Sequence, residues 1–334
     1  MQYHRFTSGT DIDEENVDFE EFCRFLDIEH FLRLRGSDTW SADGNEGTVV
    51  IKTLIGQILS ERMPRPNEVP ELYCRFAERL RPNDVVLTFN YDVLLERALD
   101  AVRVPYRLYP GRLESVHDGF SVIDDSRSEV ILLKVHGSID WFDRAEYNDA
   151  EHECRAAGAS ARPVHPVFGP TGDDLTTTKL LDGPHQPDDP LSEMYRVADI
   201  ERLYKRSWMF LAAPWLLAPS TMKILYAAKL LDFWDGRGRD GILNFGLAII
   251  GYSLPDQDAY ARQAVYSIIT NYQSEYWDDE VLGRRKSPLV LVDLRRGSNA
   301  IREFENRYRF VNWERAVRNY RGFDRDSLDQ IFAS

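Results

Sequence analysis

Hydrophobic residues recur at helical spacing in the first quarter of the chain. From Phe19 and again from Ile51, apolar side chains stand at i, i+3, i+4 and i+7, which is the spacing of one buried helix face. A third apolar series starts at Leu72, just after Pro70, and proline is common where a helix begins. The pattern predicts a helical region over residues 1–82 that packs on a sheet.

Farther along, short apolar runs replace the helical pattern. Each run is rich in Val, Ile and Leu without polar alternation, which is typical of strands buried on both faces. The runs are Val85–Phe89, Glu129–Val135, Gly246–Ile250 and Pro288–Leu294. Amphipathic stretches follow the first and third runs, with Asp92 and either Asp256 or Asp258 as candidate helix starts. This alternation predicts an α/β fold with a mostly parallel sheet.

The domain organisation follows from where this pattern stops. Residues 155–190 contain six prolines and four glycines and show little periodicity. We predict an irregular insertion there, and one α/β domain formed by residues 83–154 together with residues 191–334.

Composition excludes several classes of protein. The chain has 334 residues, and 41 Lys and Arg against 55 Asp and Glu give a formal charge of −14, which disfavours binding to nucleic acid and to anionic membranes. No stretch approaches the roughly 20 apolar residues of a membrane span. Three scattered cysteines predict no disulfide framework and no structural zinc. Together these features predict a soluble, cytoplasmic protein.

Some local patterns have an alternative explanation. Gly236, Gly238 and Gly241 match the dinucleotide fingerprint G-x-G-x-x-G, but they precede a predicted strand instead of following one, so a turn is favoured. Residues 294–325 contain nine arginines and four acidic residues. That segment is either a solvated helix face or a surface for an anionic ligand or an acidic protein partner.

Polar residues stand where the first two predicted strands end. Asn90 and Asp92 follow the first strand, and His136 follows the second. Ligands of open α/β sheets bind beyond the carboxyl ends of the strands, so these side chains are expected in one crevice. Taken singly, Asn90 and Asp92 are explained as caps of the next helix, and His136 as a turn histidine. Their occurrence together favours a functional site.

These residues also carry a resemblance to a known family. The segments TFNYDVLLERAL, LLKVHGSIDW, LAIIGYSLPDQD and LVLVD resemble the sirtuin-like NAD-consuming superfamily, in particular bacterial sirtuin-like domains, several of which deplete NAD in antiviral defence. The similarity extends from about Val17 to the end of the chain and is weak across residues 155–190. It implies a Rossmann-like sirtuin fold and an NAD glycohydrolase that uses NAD as its substrate.

The resemblance also implies roles for individual residues. Asn90 resembles the asparagine that orders the nicotinamide ribose and the attacking water, Asp92 the acid that faces the nicotinamide pocket, and His136 the general base. The residues expected to bind the cofactor are Thr88, Gly137, Ser138, Gly251, Ser253 and Asp293. A neutral histidine is suited to accept a proton near pH 7.

The sequence departs from the family in two respects. It lacks the cysteine zinc module of sirtuin deacylases, which makes deacylation a weaker prediction. It also lacks the first strand and the glycine-rich loop whose backbone N–H groups would hold the pyrophosphate. Met1 is therefore a late start, or nucleotide binding is degraded or lost. One alternative is a scaffold that binds nucleotide or a protein partner, which includes a second copy of this chain in a homo-oligomer. The other is a deacylase or ADP-ribosyltransferase.

Overall fold

A computed structural model gives the structure of seven segments of the chain. They are residues 17–34, 45–118, 120–206, 212–235, 244–256, 258–274 and 283–333. The chain divides into two compact units, Met1–Leu230 and Leu231–Ser334. The boundary between the units lies within residues 191–334, which we predicted to form one α/β domain with residues 83–154. That these two segments form a single domain stays a prediction. Residues Gly236 to Gly241 lie outside the described segments.

The first unit contains all the elements predicted before residue 135 and several more. Its helices within the described residues are α1 (Phe19–Phe31), α2 (Glu46–Arg62), α3 (Glu71–Arg79), α4 (Leu94–Val102), α5 (Ala145–Ala156) and α6 (Ile200–Tyr204). Its strands there are β1 (Val85–Thr88), β2 (Tyr106–Arg107), β3 (Leu113–His117), β4 (Phe120–Ile123), β5 (Val130–Lys134), β6 (Trp141–Asp143), β7 (Thr177–Lys179) and β8 (Met194–Val197).

The first two N-terminal helices begin after a residue whose side chain accepts hydrogen bonds from the first N–H groups of the helix. The third begins after a proline. Asp18 accepts from the N–H groups of Glu20 and Glu21 at α1, and Asn45 accepts from Thr48 at α2. Pro70 precedes α3, as predicted.

Part of the apolar face predicted for α2 packs against the core clusters, and part does not. Ile51 is buried, but Leu54 and Ile58 are exposed, and Gly56 is packed under the ring of Tyr204. A Cβ at position 56 would lie 2.3 Å from the Tyr204 hydroxyl oxygen, so only glycine permits this contact.

A parallel sheet forms the centre of the first unit. The strand order is β1-β5-β2, and both pairings are parallel. Every residue of β5 is buried, as expected for a strand covered on both faces. Helix α4 follows β1 and buries Ala98 and Leu99.

The remaining strands of the first unit are antiparallel. Strands β3 and β4 form a hairpin, and β6, β8 and β7 form a sheet in that order. Strand β7 lies within residues 155–190, where an irregular insertion was predicted, and Val167, Phe168 and Leu175 of that segment are buried in a core cluster. The segment is therefore packed, although it contains little regular structure.

The second unit contains another parallel sheet. Its elements within the described residues are α7 (Leu231–Trp234), β9 (Ala248–Ile250), α8 (Ala259–Ser274), β10 (Leu289–Val292), α9 (Ser298–Arg307), β11 (Ala316–Asn319) and α10 (Arg325–Ile331). The strand order is β11-β10-β9, with both pairings parallel. Helix α8 begins one residue after Asp258, one of the two candidate starts.

The structure confirms the α/β class and the mostly parallel pairing of the long apolar strands. The finer assignment to a Rossmann-like sirtuin fold stays a prediction. None of the helices in the described segments is long and apolar enough to cross a membrane.

Candidate functional site

The exits of β1 and β5 lie side by side. The two strands pair in parallel with Thr88 opposite Lys134, and the N–H of Val135 donates to the Thr88 carbonyl at 3.1 Å. Asn90 and His136 each stand two residues beyond this last pair. Since parallel strands end at the same edge of a sheet, the fold brings the Asn-Tyr-Asp and His-Gly-Ser segments together.

The turn after β1 fixes Asn90 and Asp92 in different settings. The Asn90 N–H donates to the Thr88 hydroxyl oxygen at 3.1 Å, and the Asn90 residue is exposed. The Asp92 carboxylate accepts from the Leu94 N–H at 2.9 Å, in the first turn of α4. Asp92 therefore satisfies a helix N-terminus, the first of the two explanations that its position allowed, although the N-cap residue itself is Val93.

His136 is buried among aromatic rings. Only 3% of its surface is exposed. Its ring centroid lies 5.2 Å from that of Phe89 and 6.1 Å from that of Tyr91. Its carbonyl accepts from the Leu217 N–H at 2.9 Å, and the Tyr91 hydroxyl donates to the Leu217 carbonyl at 2.6 Å. Segment 215–217 therefore holds both the histidine backbone and one of the flanking rings.

Gly137 is required by the backbone of the turn. Its φ is +79°, in the left-handed region, and a Cβ there would lie 2.4 Å from the Trp215 carbonyl oxygen. Ser138 is fully buried, and its hydroxyl is bonded to the Asp140 carboxylate. The two residues predicted to bind cofactor here thus build the turn that carries His136.

A buried ionic cluster underlies both strand exits. Lys134, the last residue of β5, donates to the Glu96 carboxylate of α4 at 2.8 Å and to the Asp92 carbonyl. Asp140 forms an ion pair with Arg196 of β8, with 2.9 Å between Nε and Oδ2. Lys134 has no exposed surface, and Glu96 and Asp140 are each 2% exposed. The cluster ties α4 and the β1 exit to β5.

The two carboxyl groups of the cluster have pKa values shifted in opposite directions. Burial raises the pKa of Glu96, against the lowering effect of the Lys134 charge. Burial also acts to raise the pKa of Asp140, but the charges of Arg196 and Lys134 and the Ser138 hydroxyl outweigh it, so this pKa is lowered. We did not predict this cluster from the sequence. The available signal was a lysine inside an otherwise apolar strand, since buried lysines are almost always paired.

The other predicted binding residues belong to the second unit. Strands β9 and β10 pair in parallel with Ile250 opposite Val292, so Gly251 and Asp293 leave the sheet at the same edge. The Gly251 N–H donates to the Val292 carbonyl at 2.8 Å, and Gly251 has a φ of +66°.

Asp293 and Ser253 both have arginine neighbours. The Asp293 carboxylate is 3.1 Å from Nε of Arg295. The Ser253 carbonyl accepts from Arg307 at 3.3 Å. Gly251, Ser253 and Asp293 therefore form a separate group at the strand exits of the second unit. Asn90, Asp92 and His136 lie in the first unit.

Metal-ligating side chains do not cluster in the described part of the chain: no group of three or more His, Cys, Asp or Glu residues there is arranged to hold an ion. His152, Glu153 and Cys154 lie on consecutive positions of α5. The absence of zinc stays a prediction.

Comparison with known proteins adds no family. No protein-family model matches the chain, and no curated protein matches it. The resemblance to sirtuin-like domains therefore rests on the motifs quoted above.

Proposed function

We propose that the protein is a sirtuin-like NAD-consuming enzyme that hydrolyses NAD to nicotinamide and ADP-ribose. The observation that supports this most is the adjacency of Asn90 and His136, which stand at equivalent positions beyond two neighbouring parallel strands. An amide and an imidazole at one sheet edge are the groups that this hydrolysis needs. NAD would be the substrate, and the resemblance, not the geometry, selects it.

The proposed reaction is a displacement at the ribose carbon. The bond between that carbon and the nicotinamide nitrogen breaks, its electron pair goes to the nitrogen, and neutral nicotinamide leaves. Water attacks the carbon, which carries oxocarbenium character, and His136 takes the proton of the water. The Asn90 amide holds the water and a ribose hydroxyl without adding charge. Positioning and proton transfer each contribute rate.

The buried cluster would support the site indirectly. Lys134 holds the Asp92 carbonyl, and the Ser138–Asp140 contact holds the turn that begins at His136. Both strand exits are then fixed by groups that do not reach solvent, which keeps a reactive geometry rigid. Asp92 would act mainly through the start of α4, where one of its carboxylate oxygens accepts the Leu94 N–H.

A second candidate function is a nucleotide-binding or protein-binding scaffold without turnover. Two observations favour it: the Asp92 carboxylate is engaged by α4, and His136 is 3% exposed. The rings of Phe89 and Tyr91 lie beside the imidazole. A deacylase or ADP-ribosyltransferase would use the same first step with a different acceptor.

The products of NAD separate these functions. We expect the chain to convert NAD to free nicotinamide and free ADP-ribose, both quantified by chromatography. Label transferred from NAD to protein would indicate a transferase, and no conversion would favour the scaffold. Loss of cellular NAD on expression is a second readout, in keeping with the defence domains that the sequence resembles.

Point variants test the residues. Asn90→Ala and His136→Ala should each retain the fold and reduce turnover by about 100-fold or more, as loss of a positioning or proton-transfer group does. Asn299→Ala on α9 and His117→Ala on β3 are the matched controls and should retain full turnover. Normal turnover in a folded His136→Ala variant would refute the assignment.

A further inference from the structure

A cavity of about 750 Å³ opens in the first unit and is lined in part by Glu96 and Asp140 of the buried cluster. Helix α4 forms one wall, and the end of β8 with the start of α6 forms the other. This volume is within the range of pockets that enclose small organic ligands. Neither Asn90 nor His136 lines it.

The walls of this cavity carry more negative than positive charge. Two arginines line it, Arg97 and Arg196. The carboxylates that line it are those of Glu96, Asp100, Asp140, Asp199 and Glu201. The formal balance of the lining is therefore negative, five acids against two bases, which favours a cation over a phosphate or a carboxylate.

Ion pairs within the structure balance three of these five acids. Arg97 is paired with Glu201, and Arg196 with Asp140. Glu96 is paired from behind the wall with Lys134. By formal charge these pairs leave Asp100 and Asp199 in excess, although Asp100 also accepts a hydrogen bond from Tyr106 and is attracted by Arg196.

The two remaining acids belong to different elements of the lining. Asp100 is on α4, and Asp199 precedes α6, where its carboxylate accepts the Arg202 N–H at 2.8 Å. Each carboxylate has further lone pairs for a ligand. The apolar part of the lining includes Val93, Val197 and Ile200, which are buried, and Ala101 and Ala198, which are exposed.

We propose that this cavity binds a small aliphatic cation of the diamine or polyamine class. Ammonium groups would bind at Asp100 and Asp199, and the methylene chain would lie on the apolar part of the lining, which includes the exposed Ala101 and Ala198. Such a ligand matches both the excess of two negative charges and the apolar part of the lining. This site is independent of the proposed NAD hydrolysis, and each can fail without the other.

Calorimetry with spermidine and with putrescine tests the site on the full chain at low ionic strength. We expect one ligand per chain. Asp100→Asn and Asp199→Asn should each weaken binding at least about fivefold, because a hydrogen bond to a charged group is stronger than one between neutral groups. Asn retains the oxygen that accepts at either position, so the start of α6 is preserved.

Two further variants keep the test decisive. Glu114→Gln on β3 changes the net charge equally at an exposed position outside the cavity, and it should leave affinity unchanged. Ala101→Phe fills the cavity without changing any charge and should weaken binding at least about tenfold, because the ligand loses its apolar contacts. Ala101 is exposed, so this variant should fold even if an aspartate variant does not.

Four results of these binding measurements would overturn the proposal, and a fifth comes from competition with magnesium. They are no binding of either amine at millimolar concentration, several equivalents bound per chain, equal weakening by Glu114→Gln, and unchanged binding by Ala101→Phe. Displacement of spermidine by equimolar magnesium would also overturn it, since it would indicate a metal site in place of an aliphatic-cation site.

Discussion

Lys134 has an unusual environment for its residue type. Its ammonium group has no exposed surface, and it is enclosed by β5, α4 and the Asp92 carbonyl. Removing a charge from water costs several kcal/mol, so such a group persists only because Glu96 and the carbonyl compensate it. We therefore expect the loss of one partner to lower the free energy of unfolding more than the loss of both.

A pair of variants measures this dependence. Lys134→Met leaves the Glu96 carboxylate buried without its cation and should lower the free energy of unfolding by about 3–5 kcal/mol. The double variant Lys134→Met with Glu96→Leu should recover most of that loss, because neither charge is then buried. Urea denaturation of the three proteins gives the values. A double variant less stable than Lys134→Met would contradict this explanation.

His165 is predicted to make stability depend on pH. Its Nδ1 accepts from the N–H groups of Val167 and Phe168, both at 3.1 Å, and its ring stacks on Phe168. Burial, with the nearby charge of Arg144, lowers its pKa from 6.5 to about 4. The unfolded chain then binds more protons than the folded one below pH 6.5, so this stability is present above that pH and is lost as pH falls towards about 4.

Asparagine at this position provides the test. His165→Asn retains an acceptor for the two N–H groups but does not titrate. Between pH 7 and pH 4.5 the wild type should lose about 2.5 kcal/mol more free energy of unfolding than the variant. Urea denaturation at the two pH values measures the difference. Parallel losses in the two proteins would show that His165 is not the titrating group.

At the scale of elements, the turn after β5 depends on segment 215–217. Gly137 forms an isolated bridge with Leu216, and the Ser138 N–H donates to the Trp215 carbonyl at 3.2 Å. The strand exit that carries His136 is thus built from two distant parts of the first unit. A side chain at position 137 would separate them.

Substitution of Gly137 should show this dependence. Gly137→Ala combines a positive φ with a Cβ 2.4 Å from a carbonyl oxygen, and we expect it to cost about 3 kcal/mol of unfolding free energy or more. Gly158→Ala is the matched control in the same unit, because its φ is +74° but no atom lies within 4 Å of the added Cβ. It should cost only about 1 kcal/mol. Equal losses would assign the effect to backbone strain alone.

The elements show what the sequence could and could not predict. The apolar strands were predicted because burial on both faces leaves an uninterrupted run, as in β5. Strands β6, β7 and β8 have only three or four residues each and include polar ones, so no periodicity marked them. The burial of Gly56 in α2 could not be predicted, because the ring of Tyr204, which packs against it, comes from a distant element.

Across the whole molecule, each unit has a parallel sheet in which predicted site residues follow two neighbouring strands. Asn90 and His136 leave the first sheet at one edge, and Gly251 and Asp293 leave the second in the same way. The sequence predicted that Asn90 and His136 meet, because both follow strands and ligands of open α/β sheets bind beyond the carboxyl ends of the strands. The Lys134–Glu96 pair was not predictable from spacing, since its members lie on different elements and meet only through the fold.

The rate of nicotinamide release from NAD, assayed in parallel for the wild type, His136→Ala and His117→Ala, decides whether His136 is the general base of an NAD glycohydrolase. We predict that the wild type and His117→Ala release nicotinamide at equal rates. His136→Ala should be slower by about 100-fold or more while melting at the same temperature as the wild type. Release by the wild type no faster than in buffer, or equal release by all three proteins, would contradict this prediction.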